Sequence, residues 1–417
     1  MATYQVPYGN ATLSFHLADN LSVDEIIAKD TPASPDAVSA VRNALQNSTG
    51  ARLEDFSRCK SAAIAVNDKT RPVPHEQLLP PLLEHLEGLG ISPKSIHLII
   101  ATGTHVPTPR EEFSRTLPPW MIERYEVSSH NCDDRANLVS LGVTSRRTPV
   151  SINHRFMEAD LKIVVGNIEP HHFMGFSGGA KTAAIGLAGR ETITRNHAML
   201  PHPKAITGHY EDNPMRMDVE EIGKIVGVNY ALNAILNLEK EIVTVVAGSP
   251  EAVMRVGIPV ARDICQVRSA ANYDLVIASA GGYPKDINFY QAQKALTHAA
   301  LVVKPGGVIL LVAECSEGSG SQAYEDWMID VSTQAEVFQK FERTGFQIGP
   351  HKAFQVARIA GRAKLYMVSG LPEALVKKFL LTPAASIEGA IQAMQSQIPA
   401  NPRIALMPFA VNTVPMA

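Results

Sequence analysis

Short apolar runs punctuate the chain at residues 61–66 (SAAIAV), 96–101 (IHLIIA), 161–166 (LKIVVG), 274–280 (DLVIASA) and 308–313 (VILLVA). They are near-continuous, not alternating, which fits strands covered on both faces of a sheet. The stretches between them are helix-like, as at residues 251–265. A β-then-α rhythm of this kind predicts an α/β fold whose mostly parallel sheets are flanked by helices.

Polar segments follow the runs directly: NDKTRP, TGTH, NIEPHH, GGYPKD and ECSEG. In open α/β sheets ligands gather outside the carboxyl ends of the strands, so five such loops predict one composite site. A length of 417 residues exceeds one ordinary core, and no tandem repeat, low-complexity linker or long charge run divides it. We expect two closely packed domains, residues 1–266 and 267–417, with the active site at their interface.

Composition narrows the function classes. With 45% hydrophobic and 19% charged residues the chain can bury sizeable cores. The net charge of −3 gives no general attraction to nucleic acid or to an anionic membrane. Cys59, Cys132, Cys265 and Cys315 form no CxxC pair and are too sparse for a disulfide framework. The opening MATYQVPYGN lacks a secretion signal, and no apolar run approaches the roughly 20 residues of a membrane helix. These features predict a cytoplasmic protein with no nucleic-acid or membrane partner.

The densest chemistry lies in HHFMGFSGGAK, His171–Lys181, followed by a helix-like stretch reaching His197. Ser177, Gly178 and Gly179 allow close backbone approach to an anion, with Lys181 beside it. GFSGGAKT at residues 175–182 also resembles a Walker A loop with Ala180 in the place of its last Gly, and residues 61–68 loosely resemble a Walker B strand. A P-loop nucleotide-binding phosphotransferase or hydrolase is therefore the alternative reading. Against it, about seven residues separate strand and loop, where a P-loop follows its strand directly. Taken singly, a histidine is more often structural than catalytic. His105, His171, His172 and His197 all fall in or beyond strand-end loops. In the first loop Arg71 could grip a carboxylate bidentately while Asp68 accepts a hydroxyl or orients a neighbour, although an ordinary polar turn ending in Pro72 is as good a reading. Helical spacing puts Tyr290 and Lys294 on one face, with a solvated face the bland reading there.

DKTRP, ATGTH, HHFMGFSGGAK, TRNHAM and YQAQKA occur in an order that resembles the nickel-pincer-nucleotide-dependent lactate racemases, 2-hydroxy acid racemases and epimerases. The resemblance implies an N-terminal cofactor-binding and catalytic domain and a C-terminal domain contributing substrate-binding residues. It implies that Lys181 carries the pyridinium-3-thioamide-5-thiocarboxylic acid mononucleotide covalently and that His197 coordinates its nickel. Asp68, Thr70, Ser177, Gly178 and Gly179 would line the ribose and phosphate, and Arg71, Lys294, Tyr290 and Gln291 the substrate. His105 and His171 would be the two proton-transfer bases. The implied partners are a small 2-hydroxy acid and the proteins that make the cofactor; a non-catalytic cofactor-binding protein is a further alternative.

The implied chemistry is sound. The C2 hydrogen of a 2-hydroxy acid is poorly acidic, so its removal as hydride, with a base taking the hydroxyl proton, avoids a carbanion beside a carboxylate. The planar 2-oxo acid can then be reduced on either face, which calls for one base per antipode. One departure bears on the substrate. Lactate-specific relatives set a tryptophan against the substrate, whereas HKAFQVAR from His351 carries Phe354, and Trp327 lies elsewhere. Malate, an aromatic lactate or a sugar acid are therefore expected alongside lactate as candidate substrates.

Overall fold

The computed structural model describes residues 1–71, 73–270, 272–347 and 349–416; Pro72, which ends the first polar turn, lies outside them. Two compact units result, one of residues 30–264 and the other of residues 1–29 with 265–417. The later junction between the units lies between Ile264 and Cys265. The first 29 residues, expected in the N-terminal domain, cluster instead with the C-terminal part, and the reason is physical.

The leading segment forms strands β1 (Ala2–Tyr8), β2 (Ala11–Leu17) and β3 (Val23–Glu25). Residues 30–264 give β4 (Ala62–Asn67), β5 (Ile96–Ala101), β6 (Glu126–Ser129), β7 (Leu138–Val143), β8 (Pro149–Asn153), β9 (Leu161–Asn167), β10 (Pro170–His171), β11 (Gly175–Phe176), β12 (Tyr230–Leu236) and β13 (Ile242–Gly248). The remainder gives β14 (Gln266–Arg268), β15 (Tyr273–Ser279), β16 (Val303–Val312), β17 (Lys364–Val368), β18 (Thr382–Ala384), β19 (Ile404–Met407) and β20 (Val414–Met416).

In the terminal unit the sheet order is β18-β17-β16-β15-β19-β3, parallel throughout. Strand β3 completes its edge against β19. From the β1–β2 hairpin, Val6, Phe15 and Leu17 are buried with Leu275, Ile277, Leu310 and Leu406. The apolar residues of the N-terminal segment thus find their cover in this core, which draws the segment out of the unit that follows it in sequence.

The sheet of residues 30–264 has the order β13-β12-β9-β4-β5-β6, parallel except for β13. Its core takes Ile64, Val66, Leu98, Ile100, Ile163, Val165 and Leu232 from the strands and Leu78, Leu82 and Leu86 from the helix His75–Gly88. After β4 the chain adds β5 and β6 on one side, then returns to lay β9 and β12 on the other. The strand order therefore reverses between β4 and β9, and the loops leaving that crevice diverge to opposite faces.

Candidate active site

Asp68, Thr70 and Arg71 leave the end of β4. Asp68 is buried, and both of its carboxylate oxygens accept from its own chain. Oδ1 accepts from the Thr70 N–H at 3.1 Å and its hydroxyl at 2.6 Å, while Oδ2 accepts from His105 Nδ1 at 2.7 Å. Burial pushes the Asp68 carboxyl up, but the bonds from His105 and Thr70 outweigh it and hold the group below the usual carboxylate range. His105 comes from the loop after β5, closed by its N–H to Thr102 O at 3.0 Å and tied down by Gly103 N–H to Gly186 O at 2.9 Å. A carboxylate can only accept, so Nδ1 carries the ring proton and Nε2 holds the lone pair. The His105 side chain is 54% exposed against 7% for Asp68, so the ring has its back to the protein and a face open.

The second wall follows β9, where Pro170–His171 and Gly175–Phe176 pair as a two-stranded hairpin. His171 Nδ1 accepts the Met174 N–H at 3.3 Å. His171 and His172 stack with centroids 4.7 Å apart, and Phe173 meets both edge-on at 4.5 and 4.4 Å. Phe173 also abuts His197 at 5.4 Å, so one ring joins a proposed base to the proposed metal ligand.

The Ser-Gly-Gly turn comes next. The Ser177 hydroxyl donates to Asn167 O at 2.9 Å. Gly178 and Gly179 have φ of +89° and +55°, and a Cβ on Gly178 would lie 2.7 Å from Ile168 Cγ1; the turn is built for glycine. Two residues that sequence reading missed hold it. Asn233 Oδ1 accepts the Gly179 N–H at 2.7 Å, and fully buried Arg216 donates to Gly178 O at 3.0 Å and Phe176 O at 3.3 Å while paired with Glu220 at 2.5 Å. A polar Asn inside the apolar run YALNAIL was the available signal for the first; Arg216 gave only an ordinary i,i+4 helix pair.

Lys181 opens the short helix Lys181–Ala184. It keeps some accessible surface yet is enclosed on most sides. Burial, with the positive charges of Arg71 and Arg216, pushes its amine down to about 7 despite Glu169. Much of it is therefore neutral and nucleophilic near neutrality. His197 ends the helix Arg190–His197, where Nδ1 donates to Ile193 O at 2.9 Å and so sets Nε2 as the lone-pair nitrogen. Burial first, then the Lys181 charge, pushes the ring down to about 3, which keeps it neutral as a metal ligand must be. Among the described residues no group of three or more His, Cys, Asp or Glu is placed to hold a metal. An ion at His197 would thus take its other donors from a bound molecule. An amine that is partly neutral near pH 7, a lone-pair imidazole beside it and a glycine cradle fit a covalently attached, metal-bearing nucleotide. Arg71 lies 4.0 Å from Glu169, near Lys181.

In the terminal unit Tyr290 and Gln291 lie in the helical turn Phe289–Ala292 and Lys294 begins the next, Lys294–Ala299. Lys294 Nζ donates to Gln291 Oε1 at 2.5 Å, and Lys352 Nζ sits over the Tyr290 ring at 4.9 Å. Phe354, where the resemblance calls for tryptophan, packs on Phe341 at 4.6 Å and Phe338 at 5.3 Å. Its ring is committed to helix packing; Lys352 and His351 of the same helix reach Tyr290.

Residues 8–208 match the family model of the lactate racemase N-terminal domain, and residues 268–414 that of the lactate racemase C-terminal domain. A lactate racemase of Thermoanaerobacterium thermosaccharolyticum is 31% identical over 99% of both chains. One of Lactiplantibacillus plantarum is 30% identical over 81% of this chain and 80% of its own. The solved lactate racemase apoprotein from T. thermosaccharolyticum superposes with a TM-score of 0.93 at 30% identity, covering 100% of each chain. A crystal structure from Thermotoga maritima has a TM-score of 0.66 at 15% identity, over 93% of this chain and 99% of its own, a likeness of fold alone.

Proposed function

The chain belongs to the lactate racemase family, whose named relatives are isomerases, and from that premise we propose that it inverts C2 of a small 2-hydroxy acid. The observation that carries the reading is the pairing of Lys181, whose amine is driven toward neutrality, with His197, whose Nε2 lone pair is fixed by Ile193. A P-loop enzyme keeps its lysine charged against phosphate and has no use for this imidazole. The hairpin of β10 and β11 between β9 and the glycine turn also separates the strand from the lysine that a P-loop keeps close.

Lys181 would hold the nickel-pincer nucleotide covalently and His197 its nickel, with Thr70 and the turn Ser177–Gly179 along its ribose and phosphate. When bound, the group supplies the hydride acceptor and donor that the C2 inversion needs. The protein's own part is proton traffic and orientation. His105 Nε2 takes or returns the hydroxyl proton for one antipode, and His171 does so for the other. Arg71 offers a guanidinium to the substrate carboxylate; Lys294, Tyr290 and Gln291 keep the substrate roles that the sequence resemblance gives them. Lactate is the first substrate to examine, with malate, aromatic lactates and sugar acids beside it, because Phe354 is turned to helix packing. Loading by cofactor-making proteins and a cytoplasmic setting belong to the same reading.

Protein coexpressed with the cofactor-making enzymes, incubated with each antipode of that panel and resolved on a chiral column, should convert at least one acid to the racemate. His105→Ala and His171→Ala should each slow this by on the order of 10²–10⁴-fold. Loaded protein that racemises nothing in the panel, or a double variant that keeps its rate, refutes the reading.

A further inference from the structure

The Asp68–His105 contact carries more than the resemblance implies. Cofactor contact is the role the resemblance implies for Asp68, but both of its oxygens already accept from groups of the protein, Oδ1 from Thr70 and Oδ2 from His105. We propose that Asp68 is the positioning residue of the base His105, not a contact of the cofactor: it fixes the imidazole with its proton on Nδ1, presents Nε2 as the lone-pair nitrogen, and stabilises the imidazolium formed when Nε2 takes the substrate's hydroxyl proton. The inference rests on the reading of His105 as a base.

The geometry gives three supports. A 2.7 Å bond from a ring nitrogen to a buried carboxylate is short for N–H···O and typical of a charge-assisted one. Asp68 is itself locked by Thr70, so it cannot follow the ring if His105 swings away; the ring is oriented by a fixed group. The other base is set differently. At His171 the Met174 N–H donates into Nδ1, so the neutral ring carries its proton on Nε2. His105 is the ready acceptor, whereas His171 must give up the Met174 bond before Nδ1 can hold a proton and Nε2 a lone pair. In the transfer at His105 one O–H bond breaks and one Nε2–H bond forms; the Nδ1 proton stays where it is and Asp68 remains ionised throughout, as an orienting carboxylate does.

Asp68→Asn tests this, because it keeps the shape and an oxygen for Thr70 but removes the charge. In ring-¹⁵N-histidine-labelled apoprotein, His105, assigned by its loss in His105→Ala, should give the Nδ1-protonated signature, and Asp68→Asn should shift it toward the other tautomer. In coexpressed protein the mass adduct on Lys181 should persist in Asp68→Asn, while kcat falls on the order of 10²–10⁴-fold and KM stays within a few-fold. Single-turnover oxidation should be slowed for one antipode far more than for its mirror image. Loss of the adduct with an unchanged His105 signature would make Asp68 a cofactor contact and overturn the proposal, as would an Nε2–H signature in the unmodified apoprotein. Activity surviving in His105→Ala would overturn the base reading beneath it, and is told apart because the tautomer signature in the apoprotein would still depend on Asp68.

Discussion

Replacing Lys181 by Met removes the amine and leaves an unbranched apolar chain one atom shorter, with sulfur for one methylene, so the pH-dependent part of its effect on stability isolates the charge. The amine is displaced from 10.5 to about 7 by burial and by Arg71 and Arg216. A lysine whose folded-state pKa lies below its unfolded value costs stability wherever the unfolded chain holds the proton more firmly. The cost is absent above about pH 10.5, grows as the pH falls, and is complete below about pH 7. At 1.36 kcal/mol per pH unit, and discounted for the solvent that still reaches the side chain, it amounts to roughly 2–4 kcal/mol. Lys181→Met apoprotein should therefore be more stable than the parent by about that amount at pH 6, with the difference fading toward pH 10. Urea melts of both proteins at several pH values measure it. A second readout needs no variant: at pH 7 about half of Lys181 is free amine, against roughly one in 10³–10⁴ of an ordinary lysine. Limiting acetic anhydride followed by peptide mass analysis should modify Lys181 ahead of exposed lysines such as Lys94. A stability difference that does not vary with pH, or labelling no faster than at Lys94, would refute the account of the site's electrostatics.

Two further outcomes follow from the glycine turn. Arg216→Met strips Glu220 of a fully buried partner and frees two carbonyls of the turn, and should cost about 3–5 kcal/mol by denaturant unfolding; a loss under about 1 kcal/mol would mean that the turn holds without it. Gly178→Ala meets both a positive φ and Ile168, and should cost about 1–3 kcal/mol and lower the yield of the Lys181 adduct in coexpressed protein; full loading with no change in the urea midpoint would remove the cradle role from this turn.

Sequence alone determined the strands that lead into the site and the loops that leave them. The expected runs at 96–101 and 161–166 are β5 and most of β9, because an apolar run of strand length ending in polar residues has few other uses in an α/β chain. The family was legible too, since Lys181, His197, His105 and His171 stand in motifs whose order is a property of the chain itself. Tertiary structure decided what each of these groups can do. That β9 returns to the far side of β4 is a choice of strand order, invisible to local pattern, and it creates the crevice from which Asp68 and His171 emerge. The membership of residues 1–29 was decided by where Val6, Phe15 and Leu17 could be covered, a long-range matter that no local pattern encodes. The protonation of Lys181 and the tautomers of His105 and His197 depend on burial and on single acceptors, Asp68 and the Ile193 carbonyl. Periodicity names the residue types in a site, but only packing fixes the dielectric around them and the hydrogen bonds that set their chemistry.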